Sequence, residues 1–239
     1  MHSKRNPFTW EPTPEEAFIG QILALSDRVP LITDATFVHG APVRDIEINR
    51  SILSAVAKRY HNNETKQIVI NGLTVEESNR NNHGYIGFEN WRQILFDYGV
   101  PGRAILSIPS SPNVPAESNK FLAMAHVNRW LDVTITSISD HQLRCMQQIV
   151  ALMSEPYSIK VFNRHAGGIG LRQRVVRPVM HGSTVHGHKD FEGPYEEHAK
   201  PEWHRVVAYA QEPTADEPFV RHATIPKVLE YARWRDMFS

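Results

Sequence analysis

Short apolar runs alternate along the chain with segments in which apolar residues recur three or four positions apart. The runs have the length and β-rich composition of buried strands, and the segment after the first run places Ile48, Ile52 and Val56 on one helical face. Consecutive parallel strands need a crossover, which is usually a helix. The alternation therefore predicts an α/β protein whose parallel sheet is covered on both faces. Its strands are expected at 35–38, 67–70, 104–108, 133–136 and 159–162.

Turn and cap residues indicate where the helices begin and end. Residues 13–16 (TPEE) combine a cap, a first-turn proline and an acidic residue, which predicts a helix to about residue 26. Residues 99–101 (GVP) end a helix that starts near Phe88, because glycine takes the left-handed cap and proline blocks continuation. Other helices are expected over about 115–130, 140–153 and 225–238.

The alternation stops after Arg164. Residues 165–224 are rich in Pro, Gly, His and charge, with one short apolar run at 206–209. The chain is therefore interpreted as one domain with an N-terminal helix (1–33), an α/β core (34–165) and an irregular C-terminal extension (166–239) that packs on the core. The extension is expected to wrap the domain, to form a lid or to mediate assembly of an oligomer, and the sequence does not choose among these roles.

Composition narrows the class of protein. The 239 residues are 41% hydrophobic, enough for a sizeable core, and 26 basic residues balance 26 acidic ones, so no global field favours nucleic acid. Cys145 is the only cysteine, which rules out an internal disulfide and a cysteine-based zinc cluster. Neither a secretory signal nor a run of membrane-spanning length is recognised, so a cytoplasmic location is expected.

Polar and small residues follow the predicted strands, where open parallel sheets bind their ligands. His141, just after the fourth strand, is a candidate acid–base group that Glu117 would orient, and Arg144 is a candidate for binding phosphate or carboxylate. Each residue also has a simpler interpretation as a helix cap, a strand end or a surface ion pair. The predicted ligand is an anionic small molecule. The other candidate residues at strand ends are His39, Gly40, Asn71, Gly72, Ser111, Asn113 and Ser137.

The order of these segments resembles the YdcF-like proteins of the ElyC/SanA/YdcF group. The similarity begins at 36–40 (TFVHG), Asn49-Arg50 and 68–72 (IVING), and continues through Glu89-Asn90-Trp91 to the turn at 98–101 (YGVP). Farther on, Ser111-Pro112-Asn113 with Ala116-Glu117-Ser118 is similar to that family's Ser-x-Asn-Thr-x-Glu-Asn segment. Thr136-Ser137 with His141 and Arg144 is similar to its Thr-Ser…His…Arg segment.

The resemblance covers residues 34 to about 165 and implies a Rossmann-like three-layer α/β/α fold with a mainly parallel five-stranded sheet. It adds Arg50 and Glu89 to the candidate ligand-binding residues. It also implies a nucleotide-like ligand, with S-adenosylmethionine as a candidate cofactor, and no established reaction. The leading hypothesis is an enzyme of unknown reaction, or an enzyme-derived binder, that acts on this ligand. A non-catalytic ligand sensor or protein-interaction module is the alternative.

Other groups of residues suggest different kinds of site. The spacing of His181, His186 and His188 within a loop does not fix imidazoles on one face, so no metal is assigned, although a metal-dependent enzyme stays an alternative. Residues 167–170 (GGIG) lack the full dinucleotide-binding spacing. Ser111, His141 and Glu117 would suit a hydrolase, but no nucleophile-elbow motif is present. The arginines at 172, 174 and 177 have no interleaved aromatic residues, so nucleic acid is not expected as a partner.

Overall fold

The computed structural model describes residues 27, 29–39, 46–80, 85–137, 139–164, 166, 174–177, 191–194 and 223–237. The predicted helix at 13–26 and the apolar run at 206–209 lie outside this range.

Five parallel strands form the central sheet, as predicted. Each is within one residue of its expected position, and the strand order is β3-β2-β1-β4-β5. All four neighbouring pairs are parallel. The bounds are β1 Ala35–Val38, β2 Ile68–Asn71, β3 Ile105–Ile108, β4 Asp132–Thr136 and β5 Lys160–Asn163.

Helices cover both faces of the sheet, which makes the fold the expected Rossmann-like three-layer α/β/α arrangement. One face packs against α1 and α3, and the other against α4, α5 and α6. Alternation within each strand sends side chains to opposite faces, so Val69 joins one core cluster and Ile70 the other. The helices are α1 Ile46–His61, α2 Val75–Arg80, α3 Phe88–Asp97, α4 Val114–Asn128, α5 Ser139–Leu152 and α6 Ile225–Met237, with a 3-10 turn at Gly102–Ala104.

One short helix and one pair of strands were not expected from the sequence. The short helix α2 carries no apolar repeat, because its residues are VEESNR. Strands β6 (Arg174–Arg177) and β7 (Phe191–Pro194) form an antiparallel pair within the region that the sequence left irregular. Among the described strands, each of these two pairs with the other alone. Each is four residues long, which is too short to give a clear periodic pattern in the sequence.

The order of the strands reverses between β1 and β4. The chain builds β2 and β3 on one side of β1, then crosses to place β4 and β5 on the other side. At such a reversal the connecting loops leave the carboxyl ends of two adjacent strands in opposite directions, which opens a crevice. The carboxyl ends of β1 and β4 are therefore the switch point of this fold.

Helix α6 protects the outer edge of β5. The Tyr231 hydroxyl accepts a hydrogen bond from the backbone N–H of Val161 (2.7 Å) and donates to the carbonyl of Ile159 (3.0 Å). Arg235 donates to the Val161 carbonyl, and the carboxylate of Asp27 accepts from the next outward-facing N–H of the strand. Side chains thus satisfy the backbone groups that an edge strand would otherwise leave open to pairing.

Asp34 stabilises the end of the sheet at which the strands begin. Its carboxylate accepts hydrogen bonds from the backbone N–H groups of Leu131 (2.9 Å) and Asp132 (3.3 Å) and pairs with Lys66 (2.7 Å). Burial opposes ionisation, but the hydrogen bond from Lys66 and those from the two N–H groups outweigh it and lower the pKa of Asp34. The charged carboxylate therefore joins β1 to the start of β4.

Candidate functional site

His39 lies at the switch point, immediately after β1. Its backbone N–H donates to the carbonyl of Thr136 (2.9 Å), which extends the pairing of β1 with β4 by one residue. The imidazole is completely buried and meets the ring of Phe37 edge-on, with 4.5 Å between centroids. Because residues two apart in a strand share a face, His39 projects toward the layer that contains α4 and α5.

Glu117 reaches His39 from the first turn of α4. Asn113 caps this helix, accepting a hydrogen bond from the Ala116 N–H (2.9 Å), and stacking of Phe121 on Phe37 sets the helix over β1. The carboxylate of Glu117 is 1% exposed, and its Oε2 lies 3.0 Å from Nδ1 of His39. The result is a buried imidazole–carboxylate pair.

Asn71, at the end of β2, holds the other oxygen of that carboxylate. Its Nδ2 donates to Oε1 of Glu117 (2.6 Å) and to the carbonyl of Ser111 (2.7 Å). Its Oδ1 accepts from the N–H groups of Leu73 (3.0 Å) and Ser111 (3.1 Å), so every polar atom of the amide is bonded. Asn71 therefore joins the loops after β2 and β3 to the imidazole–carboxylate pair.

Tyr85 closes this cluster from the other face of the sheet. Its hydroxyl donates to the backbone carbonyl of Asn71 (2.9 Å), and its ring packs against Trp91 of α3. Burial, with the nearby charge of Glu117, raises the pKa of Tyr85 well above its usual value. The hydroxyl is therefore a permanent donor.

Three buried polar atoms around the switch point have no hydrogen-bond partner in the described part of the chain. They are Nε2 of His39, Oγ of Ser118 and Oγ of Ser137. Ser137 follows β4 as His39 follows β1, so the two lie side by side, about 4.8 Å apart across neighbouring strands. Ser118 is the residue after Glu117 in α4. Buried polar atoms are nearly always bonded, so the atoms of His39 and Ser137, on neighbouring strand ends and without partners in the described residues, indicate a site for a polar ligand.

Gln142 fixes the backbone around Ser137 by hydrogen bonds. Its Oε1 accepts from the Ser137 N–H (2.7 Å), while its Nε2 donates to the Ile135 carbonyl (3.0 Å) and to Oδ1 of Asn163 (2.9 Å). The backbone N–H of Ser137 is therefore already bonded, and the hydroxyl of Ser137 is the group that could bind a ligand.

Arg59 supports the switch point from the opposite face. Its guanidinium donates to Oγ1 of Thr136 (2.9 Å) and to the carbonyl of Arg164 (3.3 Å). Burial lowers the pKa of Arg59 to about 10, and the charge of Arg164 acts in the same direction while Glu64 opposes both. At neutral pH a positive charge is therefore held beneath the last residue of β4.

The structure brings together several of the residues predicted from strand ends. Hydrogen bonds connect His39, Asn71, Ser111 and Glu117 directly, and Ser137 lies beside His39. Asn113 is adjacent in α4 but serves as its cap. Glu117 pairs with His39, whereas the sequence suggested His141 as its partner. The side chain of His141 lies outside the described residues, as does Gly40, so their predicted roles stay predictions.

The other predicted residues have different environments. Glu89 is exposed, and its carboxylate accepts from the Val75 N–H (3.0 Å), so it caps α2. Arg50 is exposed on α1, and Arg144 is half-buried on α5. A Cβ on Gly72 would lie 2.4 Å from the carbonyl oxygen of Ile108, so the close approach of β3 alone accounts for this glycine.

The hydrolase arrangement finds no support in these contacts. The hydroxyl of Ser111 donates to the backbone carbonyl of Pro109 (2.8 Å), which is a local turn bond. Its expected base, His141, has a side chain outside the described range.

Sequence reasoning did not select Ser118 or Arg59. Ser118 had a usable signal, because it lies on the same helical face as Phe121, Leu122 and Ala125, where a polar residue is unusual. Arg59 had none, since a basic residue in the last turn of a helix is ordinary.

Across the described ranges, no group of three or more His, Cys, Asp or Glu side chains is arranged to hold a metal ion, and His181, His186 and His188 lie outside those ranges. No helix in the described part of the chain is long and apolar enough to cross a bilayer.

Comparison with known proteins gives no assignment. No protein-family model matches the chain, and no curated protein matches it at a significant level.

Proposed function

We propose that the chain binds an anionic, nucleotide-like small molecule at the carboxyl edge of its sheet, over the switch point between β1 and β4. The observation that carries this proposal is a set of buried polar atoms without partners among the described residues: Nε2 of His39 and Oγ of Ser137 on neighbouring strand ends, and Oγ of Ser118 in α4. They come from the ends of two adjacent strands and the start of a helix, which is where α/β proteins of this topology bind ligands.

Positive charges around the site offset the buried carboxylate of Glu117 and can attract an anion. Helices α4 and α5, of 15 and 14 residues, both begin at this edge, and helix N-termini carry partial positive charge. Arg59 adds a full charge beneath β4. His141 and Arg144, in the first turns of α5, belong to the proposed site as an acid–base group and an anion-binding group.

The three polar atoms also suit the polar part of a nucleoside. S-adenosylmethionine, which the resemblance to the YdcF-like proteins implies, carries ribose hydroxyls and a carboxylate, but its sulfonium and ammonium groups make it a net cation, so it matches the site through those oxygens and not through its overall charge. Imidazole and hydroxyl groups bond well to such oxygens. His39, Ser118 and Ser137 are the residues that would hold its hydroxyls.

A thermal-shift panel tests the proposal directly. The panel contains S-adenosylmethionine, nucleotides, sugar phosphates and divalent metal ions, each added to the full chain. A compound present at about a hundred times its dissociation constant stabilises the protein by about 2.7 kcal/mol, which gives a measurable rise in Tm. If no anionic or nucleotide-like compound raises Tm, the proposal is wrong.

Ser137→Ala then ties binding to the switch point. The substitution removes a buried hydroxyl without a protein partner, so the Tm of the unliganded protein is expected to stay unchanged or to rise. The Tm shift caused by the active compound is expected to fall. Ser107→Ala, at an exposed serine of β3, is the matched control and should keep the full shift. An undiminished shift in Ser137→Ala would place the ligand elsewhere.

Turnover separates an enzyme from a sensor. An enzyme converts the active compound to a product that chromatography detects, and His39→Gln is expected to reduce the rate of that conversion. A sensor binds the compound reversibly and returns it unchanged.

A further inference from the structure

The hydrogen bonds of Asn71 determine which of its side-chain atoms is oxygen. One atom faces the backbone N–H groups of Leu73 and Ser111, which can only donate, so this atom is Oδ1. The other atom is Nδ2, and its two hydrogens point to the Ser111 carbonyl and to Oε1 of Glu117. Glu117 therefore accepts at Oε1.

The same reasoning extends to His39. Oε2 of Glu117 lies 3.0 Å from Nδ1 of His39, so one proton bridges them. Oε1 already accepts from Asn71, and a carboxylate only accepts hydrogen bonds, so we assign the proton to Nδ1 of His39. A neutral imidazole has a single N–H, which leaves Nε2 with a lone pair and no proton. Asn71 and Glu117 thus act as positioning residues that set the tautomer of His39.

We infer that the ligand presents a hydroxyl group to Nε2 of His39, and that the site recognises a sugar or ribose hydroxyl there. This inference rests on the proposed function. Nε2 is buried and has no partner in the described part of the chain, so a donor on the ligand would satisfy it. The hydroxyls of Ser118 and Ser137 both donate and accept, which suits the neighbouring oxygens of a diol.

The tautomer is tested without any ligand. Nitrogen-15 NMR of the labelled full chain distinguishes protonated from unprotonated ring nitrogens at about pH 8, above the ordinary histidine pKa. The His39 signals are assigned by their loss in His39→Gln. The wild type is expected to carry the proton on Nδ1, and a proton on Nε2 would overturn the inference.

Two variants test the positioning chain. In Glu117→Gln, the new carbonyl accepts from Asn71 and the new amide donates to Nδ1, so the proton of His39 is expected to move to Nε2. In the double variant Asn71→Asp/Glu117→Gln, the new amide group turns toward position 71 and the proton returns to Nδ1. Glu76→Gln, at an exposed acid of α2, is the control and should change neither nitrogen. An unchanged tautomer in Glu117→Gln contradicts the positioning role.

Hydroxyl recognition is tested with matched probes. AMP is compared with its 2′-deoxy and 3′-deoxy forms, and ribose 5-phosphate with 2-deoxyribose 5-phosphate, by titration calorimetry. The wild type is expected to bind the hydroxylated member of at least one pair roughly tenfold more tightly or better, since a site built for a hydroxyl leaves its own group unpaired without one. The preference should vanish in His39→Phe, whose ring has no group to bond a hydroxyl, and should persist in Glu117→Gln, because a hydroxyl can also accept from the N–H that then stands at Nε2.

The outcomes separate this inference from the proposed function. If probes bind but every pair binds equally, hydroxyl recognition by His39 is wrong while the binding proposal stands. If the tautomer is as expected but neither these probes nor any compound of the thermal-shift panel binds, the proposed function is wrong, and the hydroxyl recognition that rests on it is wrong too.

Discussion

Asn71→Asp is the substitution for which the structure predicts the largest effect at nearly constant shape. The new carboxylate keeps the two acceptor bonds to backbone N–H groups, but it can no longer donate to the Ser111 carbonyl or to Glu117. An anion then faces the buried carboxylate of Glu117. The perturbation is therefore electrostatic, and it falls on two side chains that are 0% and 1% exposed.

The magnitude follows from these contacts. Two lost donor bonds cost about 1 kcal/mol each. After the side chains separate to about 4 Å, two unit charges repel by about 4 kcal/mol at an effective dielectric constant of about 20. The free energy of unfolding at neutral pH should thus fall by about 4–6 kcal/mol, a large share of the ~5–15 kcal/mol of an ordinary domain.

The effect has a definite pH dependence. Repulsion raises the pKa of the introduced carboxyl in the folded state above its unfolded value of about 3.9. The electrostatic loss of stability is therefore absent below the unfolded pKa. It grows as the pH rises above that pKa, until the carboxyl is ionised in the folded state as well. The variant should approach the stability of the wild type as the pH falls to about 4.

Urea denaturation followed by circular dichroism measures the change at both pH values. Glu117→Gln added to Asn71→Asp removes one of the two charges, so the double variant should recover several kcal/mol at neutral pH, a coupling that a double-mutant cycle reports. Asn119→Asp, at an exposed amide of α4, is the control and should change stability by less than about 0.5 kcal/mol. Equal midpoints for wild type and Asn71→Asp at neutral pH would refute the assigned hydrogen bonds.

Three other substitutions test the frame around the site. Tyr231→Phe leaves two backbone groups of β5 without partners and should reduce the free energy of unfolding in urea by about 2–4 kcal/mol. Gly72→Ala places a Cβ against the Ile108 carbonyl and should lower Tm in calorimetry, at a cost of about 1–3 kcal/mol. Asp34→Asn removes a carboxylate whose pKa is lowered in the folded protein. The wild type loses that stabilisation as the pH falls below about 4. The free energy of unfolding, measured in urea at a series of acidic pH values, should therefore fall less steeply with pH for the variant than for the wild type.

The spacing of the site residues from core residues of the same strand contains information that the sequence analysis did not use. His39, Asn71 and Ser137 each lie two residues after a core residue of the same strand: Phe37, Val69 and Ile135. Alternation therefore places the three on one face of the sheet, the face covered by α4. This pattern identifies which strand-end residues share a side, and it would have favoured His39 as the partner of Glu117.

Helix α2 shows where local pattern is insufficient. Its six residues contain no apolar repeat, although Thr74 and Glu77 form a capping box at its start, a local signal that the sequence analysis did not use. The hydroxyl of Ser110 also donates to Glu77, and Glu89 caps Val75 from α3. These last two contacts come from residues distant in sequence and leave no periodic signal.

The sequence by itself determined the five strands, their parallel direction and the polar character of their carboxyl ends, because hydrophobic periodicity and crossover length are local properties of the chain. Only the tertiary structure decided which strand ends are neighbours, since the order β3-β2-β1-β4-β5 depends on how the helices pack across the sheet. That order puts His39 beside Ser137 and brings Glu117, 78 residues away in sequence, onto its Nδ1. The unpartnered Nε2 is a consequence of this packing, because burial and bonding of one atom depend on every element around it.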